Sequence, residues 1–397
     1  MYKVLTLNQI SVKGLDRFPR EQYELASEFS HPDAILLRSH KLQPDEIADT
    51  VACIGRAGAG TNNIPVDECT RRGIPVFNAP GANANAVKEL VAAALLLGSR
   101  GIVEGINYVS TLAEIADEAE LNRVLEAQKK QFKGSEITGK TLGVVGLGAI
   151  GSLVAEMGLT LGMEVCGYDP AISIEAAWRL SSQVQKMDAL QSLFARSDYI
   201  SLHLPVLDST RGLVNSELLS QVKPGTCLLN FARQEIVDGD AVVEALESGK
   251  LRRYITDFPA PSLIGRDDVI LMPHIGASTD EAEENCAMMA ADQVRDFLEH
   301  GNIRNSVNFP TLQLEPAEGV RLAISNDNVP TMLGKLLSLL ADENINIIDM
   351  LNKSRGDVAY NLIDVACQPS DEALAKMRAV EGVINVRVIG EGQPCIP

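Results

Sequence analysis

No apolar run in this chain approaches the ~20 residues that a bilayer-spanning helix needs; the longest, Leu90–Leu97, is less than half of that. The first residues, Met1-Tyr-Lys-Val-Leu-Thr-Leu, lack a basic start and a cleavage site, so they read as a strand rather than a signal peptide. The seven cysteines (Cys53, Cys69, Cys166, Cys227, Cys286, Cys367 and Cys395) form no Cys-x-x-Cys pair and no metal-ligand spacing. Their odd number and scatter fit a reducing cytoplasm, with most of them acting as buried apolar residues and no metal expected. Positive charge is also scarce. A formal net charge of −18 repels nucleic acid and anionic membranes, and any anionic substrate must be met by a local cluster of Arg or Lys.

What is present is strand and helix alternation over 397 residues, 46% of them hydrophobic, enough for two or three packed domains. Strands are expected at Lys3–Leu7, Ala34–Leu37, Val51–Ile54 and Pro75–Phe77, followed by a long helix over Ala84–Ser99 and an acidic helical stretch over Leu112–Phe132. From Thr141 to His274 the pattern predicts a six-strand nucleotide-binding domain, with strands near 141–146, 163–168, 198–203, 226–231, 253–257 and 269–272. A helix over Asp280–Glu299 then returns to the first domain, so the nucleotide domain reads as an insertion. A linker, Asn308–Pro316, leads to a βαββαβ unit of ferredoxin-like order.

The central motif is Gly146-Leu147-Gly148-Ala149-Ile150-Gly151, which opens directly from an apolar strand into a helix. A second strand follows and ends on Asp169, about twenty residues further on. This is the context a dinucleotide site needs: a tight turn, close approach of backbone to pyrophosphate, and an acid for the adenosine ribose. Asp169 would repel a 2′-phosphate, and no Arg follows it closely, so NAD is the expected cofactor. Three later strands end on Arg233, Asp257 and His274. In an open parallel sheet, ligands bind outside the carboxyl ends of the strands. His274 has the side chain for proton exchange with a substrate hydroxyl near neutral pH, and Arg233 the planar fork for a substrate carboxylate. Taken singly, either could be a packing or loop-bracing residue; their shared position at the strand ends favours the site.

The segments Gly55–Asn62, Gly73–Pro80, Gly139–Gly148, His203-Leu-Pro205, Pro273–Thr279 and Asn305–Pro310 resemble the D-isomer-specific 2-hydroxyacid dehydrogenases, over a span from about residue 34 to the C-terminus. The resemblance implies a Rossmann-type NAD domain, residues 85–276, inserted in a flavodoxin-like substrate domain, residues 1–84 and 277–309. It further implies an ACT regulatory domain over 319–397, an amino-acid-binding module found at dimer interfaces, with L-serine as the expected effector. By the same resemblance, His203, Pro205 and Thr210 line the nicotinamide side, Asp257 holds the carboxamide, and Ala232, Gly276 and Ala277 complete the cofactor contacts. The implied reaction is oxidation of 3-phosphoglycerate or a similar small anionic 2-hydroxy acid by a homodimer or homotetramer. Arg38 and Arg56 end strands of the first sheet and are expected to bind an anionic tail such as phosphate, with Ser39, Ala57, Gly58 and Asn83 beside them. In the last unit, Asn326, Asn328 and Asn346 are the effector candidates.

Several positions depart from the family pattern. After Asp257 the text runs Phe258-Pro259-Ala260-Pro261, with no glutamate before the proline to pair with the catalytic histidine. Asp257, Asp280, Glu281 and Glu283 are the carboxylates expected to take that role. Gln234 stands where a glycine follows the catalytic arginine, and Thr331 where a glycine follows the ACT proline. An alternative from another class is therefore an NAD-sensing binding protein that kept the fold and lost turnover.

Overall fold

Residues 1–315 and 319–390 are described by the computed structural model of the chain, and Cys395 and Pro316 lie outside them. Two compact units emerge: Met1–Asn83 together with Asp280–Pro397, and Ala84–Thr279 between them in sequence. Among the described residues no helix is long and apolar enough to cross a membrane.

The first unit begins with a parallel sheet of β1 (Tyr2–Leu7), β2 (Tyr23–Ala26), β3 (Ala34–Leu37), β4 (Cys53–Arg56) and β5 (Val76–Phe77). Their order, β2-β1-β3-β4-β5, is the flavodoxin-like one. β3 is central, and all four of its residues are buried, as expected of a parallel strand covered on both faces. The Asp280–His300 helix packs on β4 through Ala290 and Val294; a methyl group on Gly55 would lie 2.7 Å from the Val294 side chain. β2 was not expected. It is a short edge strand with an exposed Glu24 and no run of β-branched residues.

The second unit is a seven-stranded parallel sheet: β6 (Thr141–Val145), β7 (Glu164–Tyr168), β8 (Gln185–Lys186), β9 (Tyr199–Leu202), β10 (Thr226–Asn230), β11 (Leu251–Thr256) and β12 (Val269–Leu271). The order is β12-β11-β10-β9-β6-β7-β8, a doubly wound sheet whose direction of travel reverses between β6 and β9. Six strands were expected; β8, the seventh, is two exposed polar residues that carry no apolar pattern. The expected helix over Leu112–Phe132 is broken. Helices occupy Ile102–Ser110 and Glu118–Gln128, with a 3-10 turn at Lys129–Phe132, and none of these elements has a buried residue.

The last four strands, β13 (Val320–Asp327), β14 (Ile347–Arg355), β15 (Val358–Val365) and β16 (Val383–Ile389), form an antiparallel sheet ordered β14-β15-β13-β16. The Met332–Asp342 and Asp371–Arg378 helices cover one face through Leu336, Leu340, Leu374 and Met377. Ala323, Tyr360 and Leu362 belong instead to the core of the first unit, with Phe297 and Phe309. The linker expected at Asn308–Pro316 is accordingly not a loose tether: Phe309 and Leu312 are fully buried and Ile303 bridges to Leu312. The described free cysteines, Cys53, Cys69, Cys166, Cys227 and Cys286, are all buried. Cys367 differs from the expectation of unpaired thiols, being disulfide-bonded.

Candidate active site

The turn after β6 is built by backbone constraints. Gly146 has φ +89°, and its N–H donates to the Tyr168 carbonyl at 2.8 Å. A Cβ on Gly151 would stand 1.8 Å from the Gly146 oxygen, so only glycine lets the helix start this close to the strand. Around Gly148 there is open space to 4 Å. Gly148 caps the Ala149–Thr160 helix, and the first amides of that helix, from Ala149 and Ile150 on, have no intrahelical acceptor. An open turn and a helix N-terminus together fit a pyrophosphate. Asp169 pins the turn: Leu147 N donates to Oδ2 at 2.8 Å and Ala171 N to Oδ1 at 2.9 Å. Each oxygen keeps a lone pair for a ribose hydroxyl.

His203 follows β9 at the reversal point, and its N–H donates to the Val145 carbonyl. Its Nε2 lies 2.8 Å from the Ser201 hydroxyl, while Nδ1 is sealed from solvent without a partner. Although the residue as a whole is half-buried, burial around the ring pushes its pKa down to about 3, so His203 is neutral at physiological pH. Thr210 closes the next loop, its hydroxyl donating to the Pro205 carbonyl at 2.6 Å and accepting from Leu207 N at 2.8 Å.

Arg233, Asp257 and His274 follow β10, β11 and β12, three neighbouring strands of the sheet. Arg233 is exposed and extended, with Nη1 donating to the Ala232 carbonyl at 2.6 Å. Its loop is braced by Asn230, the fully buried last residue of β10. Asn230 donates to the Arg233 carbonyl at 2.9 Å and accepts from Ala232 N at 3.1 Å. Asp257 N in turn donates to the Asn230 carbonyl, so the Arg233 loop and Asp257 share one buried polar anchor. The sequence offered a signal for Asn230: a buried amide closing an apolar strand has to find partners.

Asp257 is itself 1% exposed. Its Oδ1 accepts from Ile275 N at 2.8 Å and its Oδ2 from Gly276 N at 2.7 Å. These bonds hold the loop in which His274 adopts a left-handed backbone, φ 58°, a costly conformation for a non-glycine residue. The His274 ring meets the edge of Phe258 at 5.0 Å between centroids. Among the described residues the histidine ion pairs are those of His40 and His300, so no carboxylate pairs with His274. Asp257 therefore supports His274 through the backbone, and Glu283, another expected partner, binds Arg38 instead. Ala277 is half-buried beside Gly276.

In the first unit, Leu37 and Arg56 are register partners on β3 and β4, which puts Arg38 and Arg56 at adjacent strand ends. Both lie close enough to the buried Cys286 to offset part of the rise that burial causes in its thiol pKa; Arg56 has the larger effect. Asn63, which the sequence did not single out, donates to the carbonyls of Arg38 at 3.1 Å and His40 at 2.7 Å, bracing the Ser39 loop. Ala57 N donates to the Leu37 carbonyl, and Ala79 N to that of Gly58. Asn83 is half-buried.

The three asparagines of the last unit differ in setting. Asn326 is 2% exposed, donating to the Asp327 carbonyl and accepting from Asn361 at 2.7 Å. Asn328 donates to the Gly356 carbonyl at 3.0 Å, and Asn346 is exposed. Thr331 has φ 70°, the left-handed backbone that the expected glycine would favour.

Residues 106–276 match the model of the D-isomer specific 2-hydroxyacid dehydrogenase NAD-binding domain. The chain is 35% identical over 357 residues to D-3-phosphoglycerate dehydrogenase of Haemophilus influenzae, covering 87% of this chain and 82% of that one. It belongs to the D-isomer-specific 2-hydroxyacid dehydrogenase family. D-3-phosphoglycerate dehydrogenase of Escherichia coli strain K12 is 33% identical over 386 residues, 93% of this chain and 89% of that one. Among solved structures, NAD+-bound 3-phosphoglycerate dehydrogenase of Entamoeba histolytica superposes with a TM-score of 0.59 at 27% identity, over 78% of this chain and 99% of that one.

As a D-2-hydroxyacid dehydrogenase the chain uses NAD, and the residues around the glycine turn fit that cofactor: an open Gly148, uncapped helix amides and an acid at the end of β7. Among the described residues no carboxylate forms an ion pair with His274. The aromatic ring of Phe258 packs against that of His274.

Proposed function

We propose that this dehydrogenase reversibly oxidises 3-phosphoglycerate to 3-phosphohydroxypyruvate, the step that opens serine biosynthesis. The observation that carries the phosphorylated substrate is the pair Arg38 and Arg56, gathered at adjacent strand ends near Cys286 in a chain of net charge −18. Two guanidinium groups in a strongly acidic protein suit a dianion. The names of the curated relatives support the same reading.

In this scheme the fork of Arg233 binds the substrate carboxylate and polarises the C2 oxygen, and His274 takes the proton from the C2 hydroxyl. NAD, when bound, accepts the hydride from C2. In the reverse direction His274 returns the proton to the carbonyl oxygen. Asp257 keeps His274 in place throughout by its two backbone bonds. Asp169 holds the adenosine ribose, and the neutral His203, with Pro205 and Thr210, borders the nicotinamide side.

Residues 319–397 would act as an ACT domain for assembly into a homodimer or homotetramer and for feedback by L-serine. The antiparallel order of β13–β16 supports that reading. Asn328 and Asn346 are the accessible ligand candidates, because the amide of Asn326 is committed inside the sheet. Calorimetry with L-serine tests the effector, and absence of heat would leave assembly as the domain's role. A cytoplasmic location belongs to the same proposal.

The deciding assay is NADH oxidation by the purified protein with 3-phosphohydroxypyruvate beside 2-oxoglutarate, pyruvate and glyoxylate. Preference for the phosphorylated acid is the expected result. Turnover of an unphosphorylated acid alone would assign another substrate within the family. Retained NAD binding with no turnover of any of them would favour an NAD sensor. His274→Asn should abolish turnover and leave NAD binding intact.

A further inference from the structure

Arg38 carries a resident ligand. Its Nη2 lies 2.5 Å from Oε1 of Glu283, in the first turn of the Asp280–His300 helix. The two side chains are 40% and 38% exposed, so an incoming anion can reach both. One turn along, Cys286 senses all three charges: Arg56 and Arg38 draw its thiol pKa down and Glu283 raises it. Arg38 and Glu283 are thus paired at the carboxyl end of β3, with Arg56 at the adjacent end of β4. Arg56 lies close against the backbone of Gly58. A Cβ on Gly58 would come within 2.0 Å of its Nη1, so the guanidinium rests against bare backbone.

We propose that Glu283 is an internal counterion which occupies Arg38 in the absence of substrate, and which the substrate phosphate must displace to bind. This inference rests on the phosphorylated substrate proposed above. A carboxylate and a phosphate compete for the same guanidinium face, and the phosphate prevails through its second charge and additional acceptor oxygens. The displaced Glu283 remains close to the bound dianion and repels it, which raises KM and speeds departure of the tail. An exposed ion pair is weak, so the barrier to displacement is small and the control is exerted on affinity rather than on chemistry. Glu283 is thus a specificity-determining residue for the anionic tail. It acts only on ligands that reach Arg38.

The test is steady-state kinetics of wild-type protein, Glu283→Gln, Arg38→Met and the double variant, with 3-phosphohydroxypyruvate and with glyoxylate, which has no tail. Glu283→Gln should lower KM for the phosphorylated substrate roughly three- to tenfold, with kcat and the glyoxylate KM unchanged. In the Arg38→Met background the same change should have no effect, because the pair no longer exists. An unchanged or raised KM in Glu283→Gln, with wild-type protein active on the phosphorylated acid, would overturn the inference and make Glu283 a brace for Arg38. Wild-type protein inactive on the phosphorylated acid would instead remove the substrate assignment on which the inference stands. A purely structural role would lower the melting temperature without improving KM, so the direction of the KM change separates the two.

Discussion

Asp257 holds Gly276 by its amide at 2.7 Å and Ile275 at 2.8 Å, and so fixes the left-handed turn at His274 without touching the imidazole. Exchanging Asp257 for Asn replaces one acceptor with an NH2 group that cannot receive a backbone N–H. Asp257→Asn should lower kcat about ten- to hundredfold through misplacement of His274, and lower the melting temperature because a buried backbone N–H loses its acceptor. A kcat within twofold of wild type would show that the loop is held by other contacts.

His203 gives the NAD-binding unit an acid-sensitive point. Its folded pKa, about 3, is below the ordinary 6.5, so between these values the unfolded chain binds a proton that the folded one refuses. The stability it contributes is complete above pH 6.5 and is lost as pH falls through that window. His203→Gln removes the titration and retains a partner for Ser201. Its stability loss between pH 7 and pH 5, read from urea midpoints, should be smaller than that of wild type by about 1 kcal/mol, allowing for the half-buried setting.

A buried ion pair inside the last sheet, between β13 and β15, orients the arginine that ties this sheet to the rest of its unit. Arg321 bonds Asp364 through Nε at 2.6 Å and Nη2 at 2.7 Å, and its Nη1 also donates to the carbonyls of His300 and Leu314. Asp364→Ala strands the guanidinium charge in the core and should cost about 3–5 kcal/mol. The paired replacement Arg321→Met with Asp364→Leu should recover most of that loss in differential scanning calorimetry. Equal destabilisation by the single and paired variants would assign the effect to packing rather than to the unpaired charge.

Thr331, at φ 70°, carries a β-branched side chain in a conformation that clashes with Cβ, and its hydroxyl makes no cap bond to the Met332–Asp342 helix. Thr331→Gly should therefore stabilise the protein by about 0.5–1 kcal/mol after the entropy cost of glycine. A lower melting temperature in that variant would mean that the threonine side chain has contacts outweighing the strain.

The family, the cofactor and the position of Arg233 and His274 after sheet strands were legible in the sequence because each depends on consecutive residues. A glycine turn between strand and helix, or a polar residue at the end of an apolar strand, declares its backbone conformation locally. Elements without that local mark were missed. β8 is two exposed polar residues, β2 is an edge strand without an apolar run, and the stretch Leu112–Phe132 keeps helical composition across a break that only geometry shows.

Partnership, by contrast, was decided by tertiary structure. Of the carboxylates in reach of the sequence argument, Asp257 bonds backbone amides and Glu283 bonds Arg38, and nothing in their local sequence separates the two roles. The buried bracing by Asn230 and Asn63 likewise depends on loops brought together by the sheets. Asn308–Leu314, which reads as a linker, becomes core because Phe309 and Leu312 meet residues far away in the chain. Local chemistry is written along the chain, whereas which groups share a volume is settled when distant apolar surfaces pack and each buried polar atom must take the partner that packing brings to it.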